Sequence, residues 1–144
     1  MRKNRSIPKC RVIPVLEYAD VEAASVWLCE AFGFTLRVSM GSHRAQLNVD
    51  DDGAIILAER TAGGKKFPAH SVLVRVEDAD AHAVHATKKG AKIVRPAMDY
   101  PYGERQYTAE DFAGNRWTFS QTIADVAPES WGGKSKKGWG SSGG

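Results

Sequence analysis

The period of the apolar positions changes several times along the chain, and each change marks an element. "RVIPVLEY" (11–18) is a short apolar run rich in β-branched residues and reads as a strand. Asp20 follows at an N-cap position. Ala23, Ala24, Val26, Trp27, Leu28 and Ala31 then recur at helical spacing up to Gly33, which suits a left-handed C-cap. "FTLRVSM" and "HRAQLNV" alternate around Gly41-Ser42 and predict a hairpin, and "GAIILAER" predicts a further strand. "TAGGKKFPA" (61–69) is glycine-rich and ends in proline, the composition of a linker.

After residue 69 the order begins again. "SVLVRV" predicts a strand, Asp78 an N-cap, and Ala79 to Lys89 a helix that stops at Gly90. "KIVRPAM" predicts a strand and "DYPYGE" a loop, and "RQYTAED" and "NRWTFSQ" predict a hairpin joined through "FAG". A shift of 58 residues carries Asp20 onto Asp78, Ala23 onto Ala81 and Val26 onto Val84. The repeated strand–helix–strand–strand–strand order predicts a duplicated βαβββ module, with modules at 10–60 and 70–121.

Charge changes the picture only at the ends. Of a net charge of +3, Arg2, Lys3, Arg5, Lys9 and Arg11 stand at the N-terminus, and Lys134, Lys136 and Lys137 in the tail. Without those eight, 12 basic residues face 17 acidic ones, so the body is mildly acidic and has no basic, aromatic-interleaved stripe for nucleic acid. Residues 1–9 read as a basic arm and 122–144 as a solvated Gly/Ser/Lys-rich tail. Within that tail, Trp131 and Trp139 are the residues able to fold back over the body. Cys10 and Cys29 read as free thiols of a reducing compartment rather than a disulfide framework. No apolar run approaches a membrane span, and the expectation is a cytoplasmic protein with no membrane partner.

"VIPVLEYADVEAASVWLCEAFGF", "SVLVRVEDADAHAVHATKKGAKIV" and "RQYTAEDFAGNRWTFSQ" together resemble the vicinal oxygen chelate superfamily of glyoxalases, extradiol dioxygenases, and fosfomycin- and bleomycin-resistance proteins. The resemblance spans residues 10–121. It implies an α+β fold of two tandem βαβββ modules forming an eight-stranded cup, with helices on the convex face and a ligand cavity inside. It also implies a homodimer. In the enzymes of that superfamily one divalent metal, held by His, Gln and Glu from the first and fourth strand of each module, acts as a Lewis acid.

Carried onto this chain, the four ligand positions fall at Ile13, Leu57, Ser71 (with His70 beside it) and Thr118. Hydrocarbon side chains offer no lone pair, so the expectation is no metal and no other cofactor. The resemblance is then nearest to the metal-free bleomycin-resistance proteins, which sequester a drug. The expected activity is binding of a planar or partly apolar small molecule, an antibiotic among the candidates, rather than turnover. Candidate ligand-binding residues are Met40, His43, Gln46, Arg75, Met98, Tyr100, Tyr102, Glu104, Arg105, Tyr107 and Arg116, with Trp27 as a further aromatic. The alternative is a lyase, oxygenase or transferase, either with a displaced divalent metal site drawn from His43, Gln46, Glu104, Glu17 and Glu59, or with Glu104 or Glu17 as an acid–base residue and no metal. A third reading is a dimer module whose cup is filled by its own side chains. His82 and His85, three apart on the second helix, read as ordinary helix residues rather than a zinc pair.

Overall fold

The computed structural model describes residues 3–60 and 71–133. The linker, His70 and Trp139 lie outside them. Asp20 caps α1 (Val21–Phe32) by accepting the Ala23 N–H at 3.0 Å, and Gly33 ends it at φ 82°. Asp78 caps α2 (Ala79–Lys88) in the same way through Ala81 N–H at 3.0 Å, and Gly90 follows at φ 95°. The two modules therefore share capping chemistry as well as sequence.

Around α1 run β1 (Val15–Tyr18), β2 (Thr35–Met40), β3 (Arg44–Val49) and β4 (Gly53–Glu59). Around α2 run β5 (Ser71–Arg75), β6 (Lys92–Tyr100), β7 (Glu104–Glu110) and β8 (Arg116–Thr122). Each set makes a four-stranded mixed sheet, ordered β1-β4-β3-β2 and β5-β8-β7-β6, with the first pair parallel and the rest antiparallel. This is the α+β arrangement of two βαβββ modules that the resemblance implies. Two boundaries differ from the sequence reading. Extended pairing starts at the Pro14 carbonyl, which accepts from Ile56 N–H at 2.9 Å, so Ile13 lies outside β1. β6 runs on to Tyr100, because Met98, Asp99 and Tyr100 pair with Gln106, Arg105 and Glu104, leaving 101–103 as a tight turn.

One face of each sheet is covered by the helices and holds the core. Leu16, Tyr18, Leu47, Ile55 and Leu57 from the first module meet Tyr107, Ala109, Trp117 and Phe119 from the second through Leu28, Phe32 and Phe34. Phe32 lies 4.9 Å from Phe119 and 5.5 Å from Trp117, ring to ring. The other face of each sheet carries neither α1 nor α2 and is called here the open face.

Polar groups pin the modules together through this core. The buried Asp111 carboxylate accepts from Tyr18 Oη at 2.8 Å, from Trp117 Nε1 at 3.0 Å, and from the Ala113 and Asn115 N–H groups, both at 3.0 Å. Burial, then the Asp111 charge, pushes the Tyr18 phenol up, so it stays protonated and donates. Trp27, half buried, donates to the Lys89 carbonyl at 2.9 Å and is T-shaped to Phe32 and Phe112. His85 Nε2 bonds the Glu30 carbonyl at 2.9 Å and His82 Nε2 the Phe32 carbonyl at 3.2 Å. Since a carbonyl only accepts, His82 carries its proton on Nε2 and Nδ1 accepts from the Tyr107 hydroxyl. Both histidines thus serve the helix–helix contact. Cys10 and Cys29 are half-buried free thiols.

Candidate functional site

Strand register assigns every side chain to a face, because paired residues point the same way and neighbours alternate. On the second sheet, Leu73 and Arg75 pair with Thr118 and Ser120, these with Thr108 and Gln106, and Gln106 with Met98. Glu104 links Tyr100 to Thr122 in the same layer. All of these lie on the open face. The opposite face holds Val72, Val74, Trp117 and Phe119, packed beneath the helices.

The open face has two parts. The first is aromatic. Tyr100 and Tyr102 stack at 5.4 Å and 15°, and Trp131 meets Tyr102 edge-on at 5.6 Å. Trp131 comes from a short 3-10 helix (Pro128–Trp131) in what the sequence presents as solvated tail. The connection that brings it there passes over Gly103, which sits at φ 82° with its carbonyl accepting from Ile123 and Ala124 N–H. A Cβ at Gly103 would stand 2.4 Å from the Ala124 carbonyl oxygen, so only glycine lets the chain cross.

The second part is a chain of hydrogen bonds. Glu104 Oε1 accepts from Ser120 Oγ at 2.7 Å, Ser120 Oγ accepts from Gln106 Nε2 at 3.0 Å, and Gln106 Oε1 accepts from Tyr102 Oη at 3.2 Å. Thr108 and Thr118 share a bond at 2.9 Å beyond it. Arg75 donates to Thr122 Oγ1 at 3.1 Å. A row of oriented polar groups therefore ends at an aromatic wall.

Of the predicted binding residues, Arg75, Met98, Tyr100, Glu104 and Arg116 share this face, with Tyr102 on the adjoining turn. Arg116 stands at its far end beside Glu110, at 3.7 Å. Arg105 and Tyr107 require correction. They have the opposite parity to Glu104 and Gln106 and so turn to the helix side. Arg105 pairs with Asp80 of α2 and with Asp99, which pushes its already high pKa further up. Tyr107 is buried against His82 and Phe119, and burial pushes its phenol up.

Met40, His43 and Gln46 lie on the first module, away from this cluster. Met40 is exposed at the end of β2. His43, in the β2–β3 turn, bonds Glu59 Oε2 at 2.6 Å. Gln46 is on the open face of its sheet, and its Nε2 donates to the Ser6 carbonyl at 2.8 Å. Sequence reasoning missed Gln106, Ser120 and Thr108 and named Thr118 only as an implied metal position, though their alternation with Tyr107, Trp117 and Phe119 is visible in the strings.

The implied metal positions can now be tested on the register. Leu57 is fully buried and pairs with Leu16 in the core, so it does not face the open side. The residues that do are Ile56 and Ala58, opposite Val15 and Glu17. Ser71 and Thr118 are on the open face of the second sheet. The corrected set of Ile13, Ile56 or Ala58, Ser71 and Thr118 offers two hydroxyls and hydrocarbons, and does not fit a divalent ion. Among the described residues no three His, Cys, Asp or Glu side chains converge.

The family description "Glyoxalase/Bleomycin resistance protein/Dioxygenase superfamily" matches residues 14–119, and the chain belongs to that family. Among solved structures it is similar to TioX from Micromonospora sp. ML1, at 30% identity and TM-score 0.65, over 78% of this chain and 99% of that one. A glyoxalase/bleomycin resistance protein from Streptomyces sp. CB03234 is 22% identical, with TM-score 0.58, over 75% of this chain and 99% of that one. A lactoylglutathione lyase from Agrobacterium tumefaciens is 14% identical, with TM-score 0.62, over 79% and 94%. These last two share the fold. No curated protein matches the chain. No helix among the described residues is long and apolar enough to cross a membrane.

Proposed function

We propose that this chain is a metal-free small-molecule-binding protein that sequesters a planar or partly apolar ligand, an antibiotic among the candidates, on the open face of its second module. The observation that carries the reading is the Tyr100–Tyr102–Trp131 array set beside the Glu104–Ser120–Gln106–Tyr102 chain. The array offers π-faces to a planar body, and the chain offers fixed donors and acceptors to its polar edge. Val15, Met40, Leu73 and Met98 are exposed apolar side chains on the open faces, which supports a homodimer in which a second copy or the ligand covers them. The proposed setting is the cytoplasm.

The test is tryptophan fluorescence during titration with bleomycin and with acridine. Saturable quenching is expected, weakened about tenfold by Tyr100→Ala, which is about 1.4 kcal/mol and of the size of one aromatic contact. Saturable binding with the same affinity in Tyr100→Ala would place the ligand elsewhere. Failure of both probes to bind would refute the planar-ligand reading.

A second reading, an enzyme with a displaced divalent metal, draws on the His43–Glu59 pair at 2.6 Å, two donors of the kind such metals take. Among the described residues no third carboxylate, imidazole or thiolate joins them.

A further inference from the structure

The basic arm, which composition presents as solvated charge, is folded against the first sheet. Asn4 accepts the Ser6 N–H on its side chain at 3.0 Å and turns the chain there. The next three carbonyls are then fastened from below. Arg37 Nη2 donates to those of Arg5 and Ile7 at 2.8 and 3.2 Å, and Gln46 Nε2 to that of Ser6 at 2.8 Å. Arg37 Nη1 also donates to Gln46 Oε1, so the two side chains act as one latch.

The latch engages the arm's backbone carbonyls and not the charged side chains of Lys3, Arg5 and Lys9. Beside it lies a cavity of about 900 Å³ lined by Lys3, Arg5, Lys9, Arg11 and Arg37. Ile7, Pro8 and Ile13 supply apolar wall, and no carboxylate lines it. Among the described residues none of the five cations forms an ion pair. Asp51 and Asp52 line an adjoining, smaller recess of about 370 Å³ that shares Pro8, Lys9, Cys10 and Arg37 with the cavity.

We propose that this cavity binds a small organic polyanion, an apolar or aromatic body carrying two or more phosphate, sulfate or carboxylate groups. Five like charges around one cavity repel one another and raise the local positive potential, and a polyanion relieves both effects. Arginine forks suit two-point contact with such groups, and the apolar wall selects an organic body over a bare ion. The volume falls in the range of about 300–1,000 Å³ usual for ligand sites. The site lies on the first module, apart from the aromatic face, and does not rest on the function proposed above.

The test is calorimetric titration of the full chain with ATP, inorganic pyrophosphate and citrate, at low and high salt. ATP is expected to bind once per chain, more weakly at high salt, and more tightly than pyrophosphate because its base has a wall to cover. The relative strength of pyrophosphate and citrate then distinguishes phosphate from carboxylate as the preferred group. Lys9→Glu/Arg11→Glu changes two exposed side chains and should melt as the parent does. It should lower ATP affinity by about tenfold or more, the worth of one charge-assisted hydrogen bond. Arg37→Ala, which frees the arm, should do the same. Undiminished ATP binding in Lys9→Glu/Arg11→Glu would overturn the assignment, as would equal affinity for ATP and pyrophosphate. So would binding of a single-stranded oligonucleotide where all three small anions fail.

Discussion

Asp111→Ala should be among the most damaging single substitutions in this chain. The carboxylate is 5% exposed and accepts four hydrogen bonds. Two come from the N–H groups of its own turn, where water can replace it at the exposed Ala113 but not at the buried Asn115. The other two come from Tyr18 and Trp117, both 0% exposed, and there water has no access. Each buried donor left without a partner costs about 1–3 kcal/mol, so the loss should be about 3–5 kcal/mol once the turn is included. That is a large share of the ~5–15 kcal/mol typical of a domain. Asp111→Asn keeps one acceptor but turns an amide donor toward two donors already present, and should lose at least about half as much. The assay is urea denaturation followed by circular dichroism, at two protein concentrations so that any association is seen. A double-mutant cycle with Tyr18→Phe isolates the contact between modules and should give a coupling of about 1–2 kcal/mol. A loss below about 1 kcal/mol for Asp111→Ala, or a coupling near zero, would refute the argument that this carboxylate pins the modules.

Two further outcomes follow from the core and the turn. Burial lowers the His82 pKa from its usual 6.5, so the folded state disfavours the imidazolium. The unfolded chain then binds more protons below about pH 6.5, and stability should be full above that value and fall as pH drops through it. His82→Gln should flatten this part of the profile in pH-dependent urea titrations, and an unchanged slope would contradict it. Gly103→Ala meets both a positive φ and the Ala124 carbonyl at 2.4 Å, so it should cost about 1–3 kcal/mol. It should also shift the Trp131 emission as the 123–131 segment lifts from Tyr102. Wild-type stability and emission would show that the crossing is not tight.

The helices were fully legible, because Asp20, Asp78, Gly33 and Gly90 are local signals whose physics lies within four residues of each. The family was legible for the same reason. Sequence alone does not set the face of Leu57, because "GAIILAE" is apolar at nearly every position and carries no alternation. Only its pairing with Leu16 and Ala45 fixes the phase. The faces of Arg105 and Tyr107 are hidden for the opposite reason. "ERQYTAE" is polar on both faces, and Tyr107 tolerates burial only because a histidine 25 residues away takes its hydroxyl hydrogen. The contact Trp131 makes and the fold of the basic arm are not legible because composition reports solubility, whereas their positions depend on Gly103, Arg37 and Gln46 far along the chain.

Metal content decides whether this member of the family binds its ligand without a metal. Protein purified without a histidine tag should contain no stoichiometric metal, and nickel, zinc, manganese and ferrous iron should leave its melting temperature unchanged. Near-stoichiometric metal with a clear upward shift on its addition, the mass-action signature of a native-state site, would contradict the account and move His43 and Glu59 to its centre.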